Sequence, residues 1–151
     1  MHAPSPAALA DRTILSSRVF AAPRERVYAA FADPRQLALW WGPKGFTNTI
    51  REFDPRPGGW WRFTMHGPDG ADYPNESRFV AVEPPERVVF VHEGTVHRFE
   101  MTLTWTERGA GTELSWRMVF DSAEEVARLR EFIVAANEQN FDRLASVLAA
   151  A

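Results

Sequence analysis

Histidine is the first residue type to examine for chemistry, because its side chain gains and loses a proton near neutral pH. The chain has four histidines. His66 alternates with apolar residues in a strand-like pattern, so we expect it to face solvent. His92 shares a face with Val88 and Phe90 near a strand end, and His97 follows a turn, where a surface role is expected. The positions of these histidines do not indicate a proton-transfer role, so the catalytic residues stay unknown.

The sequence also offers no metal or nucleophile motif. It has no His-x-x-x-His, no His-Glu pair at helical spacing and no carboxylate triad, so we expect no metal site. No serine lies in a Gly-x-Ser-x-Gly elbow. Gly58-Gly59 and the glycines at 109–111 are not followed by a phosphate-binding helix start, which indicates hairpin turns. We therefore expect no cofactor.

Asn137 and Asn140 are the polar residues of most interest, because they continue an apolar helical stripe. A buried amide without a partner costs on the order of 1–3 kcal/mol. Each amide should therefore bond either to a neighbouring strand or water, or to a ligand. The sequence leaves both alternatives open.

These asparagines belong to a long amphipathic helix predicted over residues 122–148. Ser122 followed by Glu125 is typical of a capping box at a helix start. Apolar residues then recur at spacings of three and four, which places one stripe along one side. A helix of this length is roughly 40 Å long and needs a broad surface to pack against.

The preceding elements supply that surface. Residues 12–20 form a strand pattern, and Pro23 and Asp33-Pro34 then begin two short helices. From Lys44 onward, about six segments alternate apolar and polar residues between turns. Such alternation predicts an antiparallel sheet with one buried face, which curls around the final helix. The prediction is an α+β fold in a single domain, residues 12–151, after a flexible tail at 1–11.

Composition excludes several classes of function. The net charge of −3, with both signs interspersed, argues against a nucleic-acid partner. The absence of cysteine suits a reducing compartment, and no apolar run is long enough for a membrane span. We therefore expect a cytoplasmic protein. Six tryptophans and eleven phenylalanines either fill a dense core or line a cavity, and composition alone favours core filling.

Several segments carry a family resemblance. They are residues 22–31, Asp33-Pro34, residues 37–43, residues 58–63, residues 65–70, Tyr73-Pro74-Asn75 and residues 84–90. Together they resemble the START-like (SRPBCC) superfamily, and more closely its branch related to the activator of the heat-shock-protein-90 ATPase. The resemblance covers about residues 13–148. It implies a helix-grip fold, in which a curved seven-stranded antiparallel sheet grips the C-terminal helix and leaves an apolar cavity between them.

The resemblance does not supply a reaction, since one fold hosts many functions. The leading hypothesis is binding of a small apolar or aromatic ligand in that cavity. The alternatives are a polyketide cyclase-like or dehydratase-like enzyme that uses the same cavity, and a chaperone-interaction module. The sequence does not indicate an oligomeric state or settle whether the protein is an enzyme.

The predicted ligand-binding residues lie on the apolar rows of the strands and on the inner side of the helix. They are Trp61, Phe63, Met65, Phe90, Phe99, Met101, Leu103, Trp116, Met118, Phe132, Ala136, Asn137 and Asn140.

Overall fold

The computed structural model describes residues 6–93 and 98–150, so His97 lies outside the described residues. The elements in chain order are α1 Pro6–Asp11, β1 Thr13–Phe20, α2 Arg24–Ala32, α3 Pro34–Trp40, β2 Thr47–Phe53, β3 Trp60–His66, β4 Asp72–Glu83, β5 Arg87–Glu93, β6 Arg98–Arg108, β7 Gly111–Phe120 and α4 Ala123–Ala149. This order confirms the predicted strand, two short helices, six strands and long helix.

The strands form one antiparallel seven-stranded sheet in the order β1-β7-β6-β5-β4-β3-β2. Alternation is clearest in β7, where every second residue is buried: Thr112, Leu114, Trp116, Met118 and Phe120. The buried rows of neighbouring strands meet in register, for example Leu103 of β6 opposite Trp116. The predicted α+β helix-grip fold is confirmed, with the buried face of the sheet turned toward the helices.

Helix α4 starts where the capping pattern predicts. The Ser122 hydroxyl accepts a hydrogen bond from the backbone N–H of Glu125 at 3.2 Å. The 27 residues of the helix span about 40 Å. Its buried residues are Val126, Asn137, Asn140, Phe141 and Leu144. The helix contacts β1, β7, α2 and α3, so it closes the sheet and both short helices into one core.

Two elements differ from the sequence expectations. The segment predicted as a flexible tail contains the short helix α1, which contacts β1 and α4. Strand β4 begins at Asp72 and includes Pro74, a residue that strand interiors usually exclude. Among the described residues, β4 pairs with β5 from Ser77 onward, so the part of β4 before Ser77 pairs with β3 alone and is locally an edge there. An edge tolerates a proline because no ladder hydrogen bond is lost there.

Helix α3 begins at a charged N-cap. The Asp33 side chain accepts hydrogen bonds from the Gln36 amide at 3.2 Å and from the Arg35 backbone N–H at 3.0 Å. The hydrogen bond from Gln36, followed by that from Arg35, lowers the pKa of Asp33. Since the folded state then has the lower pKa, the ionised carboxylate stabilises the fold above the unfolded pKa. This contribution is lost as the pH falls through the folded pKa.

We predict that Asp33→Ala lowers the free energy of unfolding at pH 7, and that this difference shrinks as the pH falls through the lowered pKa. Urea denaturation of both proteins at pH 7 and at about pH 3 measures it. Asp33→Asn is the control, because asparagine keeps an N-cap acceptor without the charge. A difference between Asp33→Ala and the parent that is independent of pH would contradict the assignment.

Candidate functional site

A cluster of aromatic rings lies between α3 and the buried face of the sheet. We call it the Trp41 cluster, because the Trp41 ring contacts each of the others: Trp61 at 4.9 Å between centroids, Trp116 at 5.1 Å, Trp40 at 5.4 Å, Phe31 at 6.1 Å and Phe90 at 6.2 Å. Aromatic pairs at these separations are in favourable contact. The side chains themselves therefore fill this part of the interior.

The sheet curvature makes this cluster possible. Trp61 lies on β3 and Trp116 on β7, with three strands between them. Their rings both reach Trp41, which directly follows α3 as its C-cap residue. Trp61 and Trp116 are 1% and 2% exposed, whereas Trp41 is only partly buried. Trp41 is therefore the ring of this trio that reaches the surface.

The buried tryptophans differ in their hydrogen bonding. The Trp40 indole N–H donates to the Ala30 carbonyl at 2.9 Å. Within the described residues, the indole N–H groups of Trp61, Trp105 and Trp116 have no hydrogen-bond acceptor. A buried donor without an acceptor costs about 1–3 kcal/mol. The interior thus presents several donors that an acceptor-bearing molecule would satisfy.

Asn140 bonds to protein, one of the two alternatives that the sequence left open. Its Nδ2 donates to the Trp40 carbonyl at 2.7 Å, and its Oδ1 accepts from the Gly42 N–H at 3.0 Å. Asn137 donates to the Ser16 hydroxyl at 3.1 Å and contacts the Met118 sulfur at 3.5 Å. Asn140 therefore holds the backbone on either side of Trp41.

Arg143 reinforces this attachment, a role that the sequence pattern does not indicate. Its guanidinium donates to the carbonyls of Leu39 at 2.9 Å, Trp41 at 3.2 Å, Gly42 at 2.9 Å and Pro43 at 3.1 Å. Burial lowers the pKa of Arg143. The carbonyls at the end of α3 carry partial negative charge, which makes this cation favourable there. In the helical pattern Arg143 falls on the polar side of α4, so the sequence predicts a solvent-exposed side chain and not this role.

The predicted ligand-binding residues fall into three groups. The buried ones are Trp61, Phe63, Phe90, Met101, Leu103, Trp116, Met118, Asn137 and Asn140. The partly buried ones are Met65, Phe99 and Ala136. Phe132 was predicted to line the ligand site, but its side chain is 72% exposed. It lies half a helical circumference from the buried Phe141, so it cannot share the inner face.

The surface depressions lie elsewhere. Five open depressions have volumes of about 300–430 Å³, and none is bordered by a predicted ligand-binding residue. Two adjoining depressions share Leu39, Val147 and Ala150 between α3 and the end of α4. The Leu39 side chain is 64% exposed there. Leu39 directly precedes Trp40 of the Trp41 cluster, so this groove lies beside the end of α3.

A hydrogen-bonded series of Thr49, His66 and Asp72 lies on the opposite, outer face of the sheet. The Thr49 hydroxyl is 2.8 Å from His66 Nε2, and His66 Nδ1 is 2.8 Å from Asp72. The order matches a nucleophile, base and acid, but the Asp72 side chain is 64% exposed and none of the five depressions includes these residues. We interpret it as a cross-strand polar network that joins β2, β3 and β4.

The inner wall offers little acid–base chemistry. Among the described residues, the buried polar side chains are Ser16, Ser77, Thr112, Asn137 and Asn140. Tyr28 is also buried, and burial raises the pKa of its phenol, which therefore stays protonated at neutral pH. In the described part of the chain, no histidine or carboxylate belongs to this buried set. No three His, Asp or Glu side chains of residues 6–93 and 98–150 form a metal-binding group.

The sheet that grips α4, with the aromatic interior between them, defines a helix-grip domain of the START-like superfamily. The sequence model of the family described as "activator of Hsp90 ATPase homolog 1-like protein" matches residues 21–149, and the chain belongs to this family. No curated protein matches it significantly.

Solved bacterial structures share the fold over nearly the whole chain. A protein from Mycobacterium smegmatis is 28% identical, with a TM-score of 0.83 and coverage of 94% of both chains. A Rhodobacter sphaeroides protein is 26% identical, with a TM-score of 0.84 and 93% coverage of both. An Arthrobacter aurescens protein, 23% identical, has a TM-score of 0.86 over 95% of this chain and 89% of its own. The family and fold support a ligand-binding or chaperone-related module. In the described residues, no helix has the length and apolarity that crossing a membrane requires.

We predict that Asn140→Leu lowers the free energy of unfolding by about 2–4 kcal/mol, because it leaves the Trp40 carbonyl and the Gly42 N–H unpaired. Chemical denaturation measures this change. Gln139→Leu is the matched control on the same helix, since it removes one exposed hydrogen bond to the Lys44 N–H and should cost less than about 1 kcal/mol. Equal effects of the two variants would contradict the role assigned to Asn140.

Proposed function

We propose that the protein binds a small apolar or aromatic ligand between α4, α3 and the buried face of the sheet. The observation that carries this proposal is the pair of buried indole N–H groups on Trp61 and Trp116. Both lie in otherwise apolar surroundings and have no acceptor among the described residues. Apolar walls with a few polar groups are typical of small-molecule sites.

The energetics allow weak binding. Burying about 250 Å² of apolar ligand surface at roughly 25 cal/mol per Å² contributes about 6 kcal/mol before association costs are subtracted. Because the rings of the Trp41 cluster are in contact, a ligand must displace a side chain to enter. About 6 kcal/mol corresponds to a Kd of about 40 μM before these costs, and the displacement reduces the affinity further, so we expect binding no tighter than the high-micromolar to millimolar range.

The cyclase-like or dehydratase-like alternative receives less support. It requires an ionisable group on the inner wall to move a proton. Within the described residues, the titratable side chain that is buried is the Tyr28 phenol, whose pKa is raised. We therefore favour binding without an assigned reaction, in the cytoplasm that the cysteine-free composition suggests.

A chaperone-interaction module is the second candidate, and the groove beside Leu39 favours it. Exposed Leu39, with Val147 and Ala150, supplies apolar surface, and Arg26 and Arg143 supply charge at its rim. Protein interfaces commonly combine an apolar centre with a charged rim. Loss of partner binding in Leu39→Asp, with small-molecule binding intact, would separate this candidate from the first.

We predict that Ala136→Trp weakens binding of the neutral fluorescent probe N-phenyl-1-naphthylamine at least tenfold while the fold is retained. Ala136 is partly buried on α4, one turn before Asn140, so a large ring there fills the space the probe needs. Ala135→Trp is the matched control, because Ala135 is exposed. Fluorescence titration and native mass spectrometry measure binding, and circular dichroism checks the fold. A parent protein that binds neither the probe nor any co-purified small molecule would refute the proposal.

A further inference from the structure

Resting on the proposed function, we infer that the Trp41 side chain occupies the place of the ligand. The ligand class that follows is a planar molecule of two fused rings with a hydrogen-bond acceptor such as a carbonyl oxygen. Trp61 and Trp116 donate to that acceptor from the walls of the site.

The ring geometry supports this assignment. The Trp41 centroid is 4.9 Å from Trp61 at an interplanar angle of 66° and 5.1 Å from Trp116 at 43°. Removing this one indole opens a space of two fused rings whose two walls are indoles. A planar bicyclic molecule would restore the ring contacts that Trp41 makes.

The hydrogen bonding of the buried tryptophans indicates that the ligand carries a hydrogen-bond acceptor. Trp40, the neighbour of Trp41, has a carbonyl acceptor for its indole N–H. Trp61 and Trp116 have no acceptor for their buried indole N–H groups among the described residues, and the Trp41 ring packs against both indoles. The face of an aromatic ring is a weak acceptor and recovers only part of a normal hydrogen bond. A ligand oxygen in the place of the Trp41 ring satisfies a donor that a hydrocarbon leaves unpaired.

Trp41 is also the ring of this trio that can move. Asn140 and Arg143 hold the backbone around Trp41, whereas the indole itself packs against the rings of the Trp41 cluster. Trp61 and Trp116 are fixed in the sheet, and Trp41 is only partly buried. Rotation of its side chain therefore opens the site without breaking the attachment of α3 to α4.

The other buried indole donor, Trp105, does not belong to this site. Its ring contacts Tyr28 at 4.8 Å and Phe31 at 5.8 Å, and it reaches the Trp41 ring only through Phe31, which is 6.1 Å from Trp41. Its N–H is therefore left out of the ligand contact.

Binding of two bicyclic probes to Trp41→Ala tests the inference. Coumarin carries a lactone carbonyl, and 1,2-dihydronaphthalene has two fused six-membered rings of similar size without an acceptor. We expect Trp41→Ala to bind coumarin at least tenfold more tightly than the parent, and about tenfold more tightly than dihydronaphthalene. Trp60→Ala, on the outer face of the sheet beside Arg62 and Arg78, should leave binding unchanged.

Two further variants identify the donors. Adding Trp61→Phe or Trp116→Phe to Trp41→Ala keeps an apolar wall but removes one N–H, so the preference for coumarin should fall toward unity. Where Trp41→Ala does not fold, Trp41→Leu gives the same comparison with a smaller opening.

The outcomes separate this inference from the function it rests on. If N-phenyl-1-naphthylamine binds the parent but both bicyclic probes bind Trp41→Ala equally, the acceptor class is wrong. If coumarin binds Trp41→Ala no better than the parent, Trp41 does not occupy the ligand site. If none of the three probes binds any folded variant, the proposed function itself fails.

Discussion

The attachment of α4 to the backbone that leaves α3 is the interaction on which the interior depends. Asn140 pairs with both a carbonyl and an N–H of that segment, and Arg143 donates to four of its carbonyls. These contacts place Trp41 between Trp61 and Trp116. Polar groups buried in this way are costly when unpaired, so they specify one position of the segment rather than a range. The aromatic interior is a consequence of that polar attachment.

The packing changes how the family resemblance applies to this chain. A helix-grip domain encloses the space between its helix and sheet, and here aromatic side chains take up the part beside α3. Composition alone favoured core filling, and the structure agrees with that reading in the Trp41 cluster. The indole N–H groups of Trp61 and Trp116, which have no acceptor among the described residues, nevertheless distinguish this core from an ordinary one. Under the proposed function, the Trp41 side chain and a ligand would occupy the same space in turn.

Sequence patterns predicted the fold well because its signals are local. Alternation marked the strands, and Ser122 with Glu125 marked the start of α4. The role of Arg143 was not predictable, since its carbonyl partners lie about a hundred residues away in the sequence. Phe132 was assigned wrongly because a broad apolar stripe does not show which edge stays exposed. Pro74 lies in a part of β4 that, among the described residues, pairs with β3 alone, and the local sequence does not show which strands a segment pairs with.

The place of β1 beside β7 has a consequence for synthesis of the chain. Thr13 pairs with Val119 and Phe20 with Thr112. Strand β1 therefore cannot form its ladder of hydrogen bonds until β7 has been synthesised. Contacts between such distant residues slow folding, because a long loop must close before they form. During translation β1 stays without its partner strand, carrying the apolar side chains Leu15 and Val19 that remain exposed even in the finished protein. The nascent chain is therefore most prone to aggregation until the residues of β7 leave the ribosome.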